Sequence, residues 1–240
     1  MGIGLVLLTI FIVLERRIKY PMVDLSLFRN RLFSMGNLSS LLNYMAQFTV
    51  IWIMPFYLQQ LRHLTAAQAG MLLIPMPLVT MVVAPASGTL SDKTDTRYVS
   101  SVGMGITAAG LWLLSGLHAE SSTLRIIVAL VITGLGVGMF QTPNNSAVMG
   151  TVPPQRRGIA SSLLATMRNI GMVLGVAVSG AVFTGLLAYF TKSLANQGLS
   201  GSRLTVQAFT GSMHYTYLVA AGLACLAVLT SLVRGPLNAG

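Results

Sequence analysis

The sequence predicts an all-helical membrane protein, a bundle of helices that each cross the lipid bilayer, and three observations support this class. Apolar residues make up 54% of the 240 residues and charged residues only 8%, against about 25% charged residues in an ordinary soluble domain. The mean hydropathy is +0.74. The apolar residues are gathered into segments, most of them close to the 20 or so residues that cross about 30 Å of hydrocarbon.

Seven apolar segments are candidates for membrane spans, and none has an acidic residue in its interior. A large soluble core is the alternative, but its outer helices would need polar faces, which these segments lack. The segments are roughly residues 1–14, 34–58, 70–87, 99–118, 126–146, 158–189 and 214–233.

The first segment is short for a span, because 14 residues of helix reach only about 21 Å. It does not resemble a signal peptide, since no basic residue precedes it and no small-residue cleavage site follows. We interpret residues 1–14 as the second part of a truncated span. A short native span with local thinning of the bilayer is the alternative.

The loops between the segments carry the charge, and the basic residues are distributed unequally between the two sides. This asymmetry favours a multi-pass protein whose N-terminus is outside and whose C-terminus is cytoplasmic. It also explains much of the formal net charge of +10, so a nucleic-acid partner is not needed. The predicted cytoplasmic set is Arg16, Arg17, Lys19, Arg29, Arg31, Lys93, Arg97, Arg156, Arg157 and Arg234, against Arg62, Arg125, Lys192 and Arg203 outside.

Two connecting segments are long. Residues 15–33 contain Pro21 and then Leu25, Phe28 and Leu32 at helical spacing, which suits a short interfacial helix on the cytoplasmic side; a solvated loop is the alternative. Residues 190–213 are rich in Ser, Gly and Gln, and we expect a mobile loop there.

Small residues predict close helix packing within the bilayer. Gly171, Gly175 and Ser179 repeat every four residues on the sixth segment, and a second stripe contains Ala177, Ala181 and Gly185. The span at 70–87 also contains three prolines, Pro75, Pro77 and Pro85, and each is expected to bend the helix.

Polar residues within spans are costly and tend to face a bundle interior or a wet cavity. For the amides, contacts between helices and cavity lining both remain open. Arg168 either binds an anionic group, pairs with an acid elsewhere, or extends towards the cytoplasmic headgroups. The candidates for the lining of a substrate cavity are Asn43, Gln47, Gln141, Asn144, Asn145 and Arg168.

Signals for catalysis and cofactor binding are missing. There is no GxSxG, HExxH or GxxxxGKS pattern, and the three histidines are far apart. Cys225 is the single cysteine, which excludes an intrachain disulfide. All five acidic residues fall at span ends or in loops, so no proton-carrying carboxylate is evident in a span. We therefore expect no enzyme, no cofactor and no metal site.

Three stretches resemble one family. Residues 55–97 read PFYLQQLRHLTAAQAGMLLIPMPLVTMVVAPASGTLSDKTDTR, residues 158–185 contain Arg-Asn-x-Gly and Leu-Gly-x-Ala elements, and residues 15–33 contain a D-L-x-L-F-R-x-R-x-F run. Together they resemble the C-terminal half of fourteen-span drug/proton antiporters of the major facilitator superfamily. The resemblance implies a truncated span at 1–14, a linker at 15–33 and a six-span bundle at 34–240.

The resemblance also implies a function. The full-length protein would be an inner (plasma) membrane exporter of lipophilic, often cationic, compounds, coupled to protons and working by alternating access with an N-terminal bundle that is missing here. The loop formed by Gly88, Asp92, Lys93 and Arg97 would gate that motion; an ordinary charged turn is the alternative. From its chemistry alone, Asp92 can accept backbone N–H groups at a helix N-terminus, so we expect it to cap the next helix. Asp95 stands where the family usually has glycine.

Two other functions remain open. The chain is either a non-transporting remnant or accessory membrane subunit, or a half-transporter that works as a dimer.

Overall fold

The computed structural model describes residues 25–233, and these residues form helices and short connections without any strand. A π-helical turn, Tyr57–Leu61, extends the first helix, and 3₁₀ turns cover Leu25–Arg29 and Pro154–Arg156. The α-helices are α1 (Arg31–Phe56), α2 (Ala66–Leu73), α3 (Pro75–Lys93), α4 (Thr96–Ser115), α5 (Thr123–Gly150), α6 (Arg157–Asn196) and α7 (Gly201–Val233).

Six stretches of the described chain are long and apolar enough to cross a membrane, and they coincide with the six spans predicted between residues 34 and 233. The helices α2 and α3 meet at Ile74 and together make one of these stretches, Ala66–Lys93. We expected each proline to bend the helix. The helix is interrupted at Ile74, where Pro75 begins α3, whereas Pro85 lies inside α3. The predicted segment 1–14 lies outside the described residues.

Only the last part of the predicted linker 15–33 falls within the described residues. Its 3₁₀ turn is followed by Asn30, whose side-chain oxygen accepts the backbone N–H groups of Leu32 at 2.9 Å and Phe33 at 3.3 Å. This cap satisfies two of the free donors that begin α1. The ring of Phe28 lies edge-on to Phe33 at 5.3 Å between centroids. The turn is therefore held against the start of the first span.

The centre of the bundle is formed by α1, α4, α5 and α7, in which α4 contacts α5 and α7, and α1 contacts α7 and, less extensively, α5. The helix α3 packs mainly on α5, and α6 packs on α1 and α7. In α1, α4 and α5, half or slightly more of the residues in the most apolar 18-residue stretch are buried inside the bundle. The corresponding fraction is only 11% in the α2–α3 span and 22% in α6. The α2–α3 span and α6 are thus the outer walls of the bundle.

The helices α4 and α5 approach through glycine, backbone against backbone. A Cβ atom placed on Gly103 would lie 2.8 Å from the carbonyl oxygen of Gly136 and 2.8 Å from the backbone nitrogen of Phe140. Within a bilayer, apolar side chains gain little by leaving lipid, so close van der Waals contact drives association. These glycines therefore set the distance between the two central helices.

The predicted stripe Gly171, Gly175 and Ser179 is buried and faces α1. A Cβ atom on Gly171 would lie 2.6 Å from the carbonyl oxygen of Leu41, and the hydroxyl oxygens of Ser179 and Thr49 are 2.6 Å apart. The second stripe behaves differently: Ala177, Ala181 and Gly185 are exposed on the opposite side of α6. Within the described residues that stripe makes no helix contact comparable to the first.

The prediction of a mobile loop over residues 190–213 is wrong. The helix α6 continues to Asn196 and α7 begins at Gly201, so only a tight turn separates them. Gly198 and Gly201 adopt positive φ values of 84° and 64° and supply the reversal. The Ser, Gly and Gln content was misleading because most of the segment consists of residues that helices tolerate well.

This helical hairpin extends past the end of α4. The ring of His214 in α7 lies 3.0 Å from the carbonyl oxygen of Ser115, the last residue of α4. Residues 201–213 therefore continue beyond that level by about 20 Å at 1.5 Å per residue. The stacked rings of Phe190 and Tyr215, with centroids 5.9 Å apart, hold the base of the hairpin together.

We expect Gly103→Ala to destabilise the bundle, because the added methyl group collides with the backbone of α5. Overpacking of this kind costs about 1–3 kcal/mol, which should lower the midpoint of thermal unfolding in detergent micelles by several degrees. Gly105→Ala is the matched control two residues along the same helix, where nothing lies within 4 Å of the added atom. Equal unfolding midpoints for the two variants would contradict the glycine contact.

Candidate functional site

A groove runs along one side of the bundle, with α1 and α5 as its floor and the outer walls, α3 and α6, on its two sides. It contains two recesses. The first, the apolar recess, has a volume of about 520 Å³ and lies between α1, α5 and the α2–α3 span. The second, the polar recess, has a volume of about 290 Å³ and lies between α1, α5 and α6.

The apolar recess is lined mainly by aliphatic side chains, methionine and proline, with two amides at its edge. Met76, Met81 and Pro77 come from α3, where Pro77 lacks the N–H of an ordinary helical residue. Gln47 and Gln141 contribute the amides from the floor. Methionine side chains are flexible and polarisable, so they adapt to ligands of different shape. The chemistry of this recess suits a lipophilic molecule with few hydrogen-bonding groups.

The polar recess is lined by Arg168, the arginine that lies within a predicted span. Arg168 lies 11 residues into α6, about 16 Å from its first residue. Its guanidinium interacts with the hydroxyl of Tyr44, to which Gln141 Nε2 also donates at 3.1 Å. Ser40, Asn145 and Ser161 line the same recess. Arg168 is exposed at this recess, beside the floor helix α1.

The Gln141–Tyr44 hydrogen bond also joins the two recesses, because Gln141 lines the apolar recess and Tyr44 lines the polar one. The two recesses are parts of one amphipathic surface rather than separate sites. Tyr44 was missed in the sequence analysis. Its position three residues before Gln47, on the same helical face, was the available signal.

Four of the six cavity candidates lie in the groove: Gln47, Gln141, Asn145 and Arg168. The other two are inside the bundle. Asn144 is buried and donates to the carbonyl oxygen of Gly36 at 3.1 Å, which joins α5 to α1. Asn43 is also fully buried, and neither of its amide atoms has a hydrogen-bond partner among the described residues.

The predicted gating residues lie at the junction of α3 and α4 but do not form one cluster. Gly88 faces α5, where an added Cβ would lie 3.0 Å from the methyl group of Thr142. Asp92 and Lys93 are exposed in the last turn of α3. Arg97 lies in the first turn of α4, half-buried.

The expectation that Asp92 caps the next helix is wrong, because that role belongs to Asp95. The Asp95 carboxylate accepts the backbone N–H of Arg97 at 2.8 Å, and its other oxygen lies 3.6 Å from the Arg97 guanidinium. The same guanidinium donates to the Tyr98 hydroxyl at 2.9 Å and lies 4.7 Å from the centre of that ring. The negative charge that departs from the family pattern is thus paired locally.

The other end of the bundle is closed by a polar cluster. Arg62 donates to the carbonyl oxygens of Ala119 at 2.8 Å and Ser121 at 2.6 Å. The hydroxyl of Tyr57 donates to the carbonyl oxygen of His118 at 2.7 Å. These contacts tie the α4–α5 connection to the end of α1.

Comparison with known proteins identifies the class. The family model described as Major Facilitator Superfamily matches residues 36–238. The riboflavin transporter RibZ of Clostridioides difficile is 38% identical over 193 residues, which are 79% of this chain and 42% of the relative. The multidrug resistance protein Stp of Mycobacterium tuberculosis is 30% identical over 179 residues, which are 75% of this chain and 33% of the relative.

A solved structure shares the fold. It is a bacterial homologue of the human lysosomal transporter Spinster, in an inward-facing and unoccupied conformation, with a TM-score of 0.69 at 17% sequence identity. The match covers 91% of this chain and 52% of that one.

The helical bundle is therefore that of a multi-pass membrane protein of this superfamily. The chain belongs to the major facilitator superfamily. It spans less than half the length of the curated relatives named above.

We expect Asp95→Ala to destabilise the chain by about 1 kcal/mol, because it removes the N-cap of α4. Asp92→Ala is the matched control. Asp92 lies at the C-terminal end of α3, where the helix dipole disfavours a negative charge, so its removal should leave stability unchanged or slightly raised. Thermal unfolding in micelles measures both variants, and a larger loss for Asp92→Ala would contradict the assignment of the cap.

Proposed function

We propose that this chain forms one of two helical bundles of a proton-coupled exporter of lipophilic compounds that works by alternating access. The observation that carries the proposal is the amphipathic groove on one side of a bundle whose helices are long and apolar enough to cross a membrane. Transporters of this architecture bind substrate near the middle of the membrane, between two bundles. The groove supplies one side of such a site.

The need for a second bundle is supported by the surface of the chain. The groove is open, and both of its walls bury few residues. The exposed small-residue stripe at Ala177, Ala181 and Gly185 offers a surface on which another helix can approach closely. Curated relatives are more than twice as long as the region they share with this chain.

The size and lining of the apolar recess support a lipophilic substrate. Its volume of about 520 Å³ falls within the roughly 300–1,000 Å³ of sites that bind small molecules. Multidrug resistance proteins are among the relatives, in agreement with a recess lined by adaptable methionines. The riboflavin transporter at 38% identity makes riboflavin a second candidate substrate.

The proton-carrying groups are proposed to lie in the second bundle. None of the described residues that line the two recesses is acidic, whereas proton-coupled transporters use carboxylates within the membrane. This chain would then contribute substrate contacts, and the partner bundle would contribute the coupling.

The α3–α4 junction is proposed to gate the motion. Gly88 allows α3 to lie against α5, and Asp92 and Lys93 are exposed, so they are available to contact a second bundle. We place this end in the cytoplasm of a plasma (inner) membrane, with the chain's N-terminus outside and its C-terminus inside. The described basic residues support this orientation, since six lie at this end and four at the other. The six are Arg29, Arg31, Lys93, Arg97, Arg156 and Arg157.

A split-protein experiment tests the proposal. The chain is co-expressed with the part of RibZ that the alignment leaves uncovered, in cells that lack their own efflux systems. We expect the two pieces to co-purify and to export at least one of ethidium, Nile red and riboflavin, while the chain alone exports none. An inserted, co-purifying pair without any export would favour the alternative of a non-transporting membrane subunit.

We further expect Met81→Trp to lower export by the pair at least tenfold, because indole fills the apolar recess. Val102→Trp is the matched control, since Val102 is exposed on α4 outside the groove and should tolerate the same side chain. Initial rates of dye efflux measure both variants. Equal rates would contradict a substrate site in this recess.

A further inference from the structure

We propose that the polar recess binds the anionic end of a transported compound, so that the preferred substrates of this site are amphiphilic anions rather than cations. The inference rests on the proposed function and refines it. It depends on the charge of Arg168 and on its polar neighbours in the recess.

The charge of Arg168 is uncompensated within the described residues. The one ion pair there joins Arg97 and Asp95 at the end of α4, and no acidic residue lines either recess. A guanidinium in a membrane-embedded groove is costly unless an anion or a set of acceptors accompanies it. The groove therefore contains a positive charge that lacks a carboxylate.

The guanidinium has a polar neighbour in the recess, the hydroxyl of Tyr44. That hydroxyl accepts a hydrogen bond from Gln141, and Tyr44 and Arg168 line the same recess. An arginine has five N–H donors in a planar fork, and one contact to a phenol leaves donors for a carboxylate, which the fork can bind through two parallel hydrogen bonds.

The remaining polar neighbours add to this chemistry. The hydroxyl groups of Ser40 and Ser161 and the amide of Asn145 line the same recess, and all three groups can donate hydrogen bonds to anionic oxygen. A quaternary or protonated amine would meet the positive charge of Arg168, and none of the described residues that line this recess is an acid that could pair with it. The recess thus selects against cations.

The position of the apolar recess supplies the second half of the specificity. The two recesses meet at the Gln141–Tyr44 hydrogen bond, so a molecule with its carboxylate at Arg168 can place an aromatic or aliphatic body against Met76 and Met81. We infer an amphiphilic organic anion, with an apolar body joined directly to a carboxylate.

Binding to the chain itself tests the inference without a second bundle. In that measurement no acidic side chain of a partner can take the place of the ligand's carboxylate at Arg168. The purified chain is reconstituted into nanodiscs of neutral lipid. Scintillation proximity then measures tritiated 2-naphthoate, with 2-naphthamide and 2-naphthylmethylammonium as competitors of the same shape. We expect the carboxylate to bind at least tenfold more tightly than the ammonium compound, with the neutral amide between them.

Variants of the arginine give a second readout. Arg168→Gln should weaken binding of 2-naphthoate about tenfold, the loss of one charge-assisted contact, and leave 2-naphthamide unchanged, which a collapsed site would not do. Arg168→Lys should retain part of the preference for the anion. Arg203→Gln is the matched control, an exposed arginine on the far hairpin, and should bind as the wild type does.

The inference is overturned if the ammonium compound binds as tightly as the carboxylate, or if Arg168→Gln binds both the carboxylate and the amide as the wild type does. These outcomes are distinct from failure of the proposed function. A pair of bundles that exports dyes but shows no preference for anions refutes only the inference. A chain that binds the carboxylate as expected, while no inserted pair exports anything, refutes only the exporter.

Discussion

Backbone contact between α4 and α5 is the interaction on which the rest of the bundle depends. Lipid surrounds these helices, so burying another leucine gains little, and the helices are held by shape and by hydrogen bonds. At Gly103 and Gly136 the absence of side chains brings the two main chains together. With α4 fixed in this way, α5 presents Gln141 and Asn145 towards α1 and its neighbours, and the floor of the groove is formed.

Polarity within the bundle is divided between two tasks. Ser39, Thr49 and Asn144 join helices to one another through hydroxyl and amide contacts. Gln47, Gln141 and Arg168 instead line the open groove. The structure separates these tasks by helical face, so that α5 places neighbouring asparagines in different environments: Asn144 is buried in the bundle and Asn145 is exposed at the groove. A single residue step, 100° around the helix, makes the difference.

The sequence predicted the six described spans, the close packing of the stripe Gly171, Gly175 and Ser179, and the membrane class, because these follow from hydrophobic length and from small residues at helical spacing. It did not predict which polar residues meet. Asn43 and Gln47 lie one turn apart, yet Asn43 is buried in the bundle while Gln47 reaches the groove, since α1 is in contact with three different helices over a few residues. Tyr44 was overlooked because tyrosine is ordinary in a span, and only the arrangement of α1, α5 and α6 shows that it lines the same recess as Arg168.

The capping error has a similar origin. Both Asp92 and Asp95 suit a helix N-terminus by residue type, and the choice depends on where the preceding helix ends. The helix α3 continues through Lys93, so Asp92 arrives one turn too early. The prediction of a loop over residues 190–213 was wrong for a similar reason. Small and polar residues are typical of loops, but they also occur in helices that extend beyond the bilayer.

The length of α6 gives this otherwise lipid-covered protein a rigid extension into water. The helix is 40 residues long, about 60 Å at 1.5 Å per residue, and its inner half carries Arg168 in the wall of the groove. When α6 tilts, the displacement of its end grows in proportion to the distance from the pivot. A spin label or fluorophore at the turn near Gly198 would therefore convert small rearrangements around a bound solute into large, easily recorded displacements.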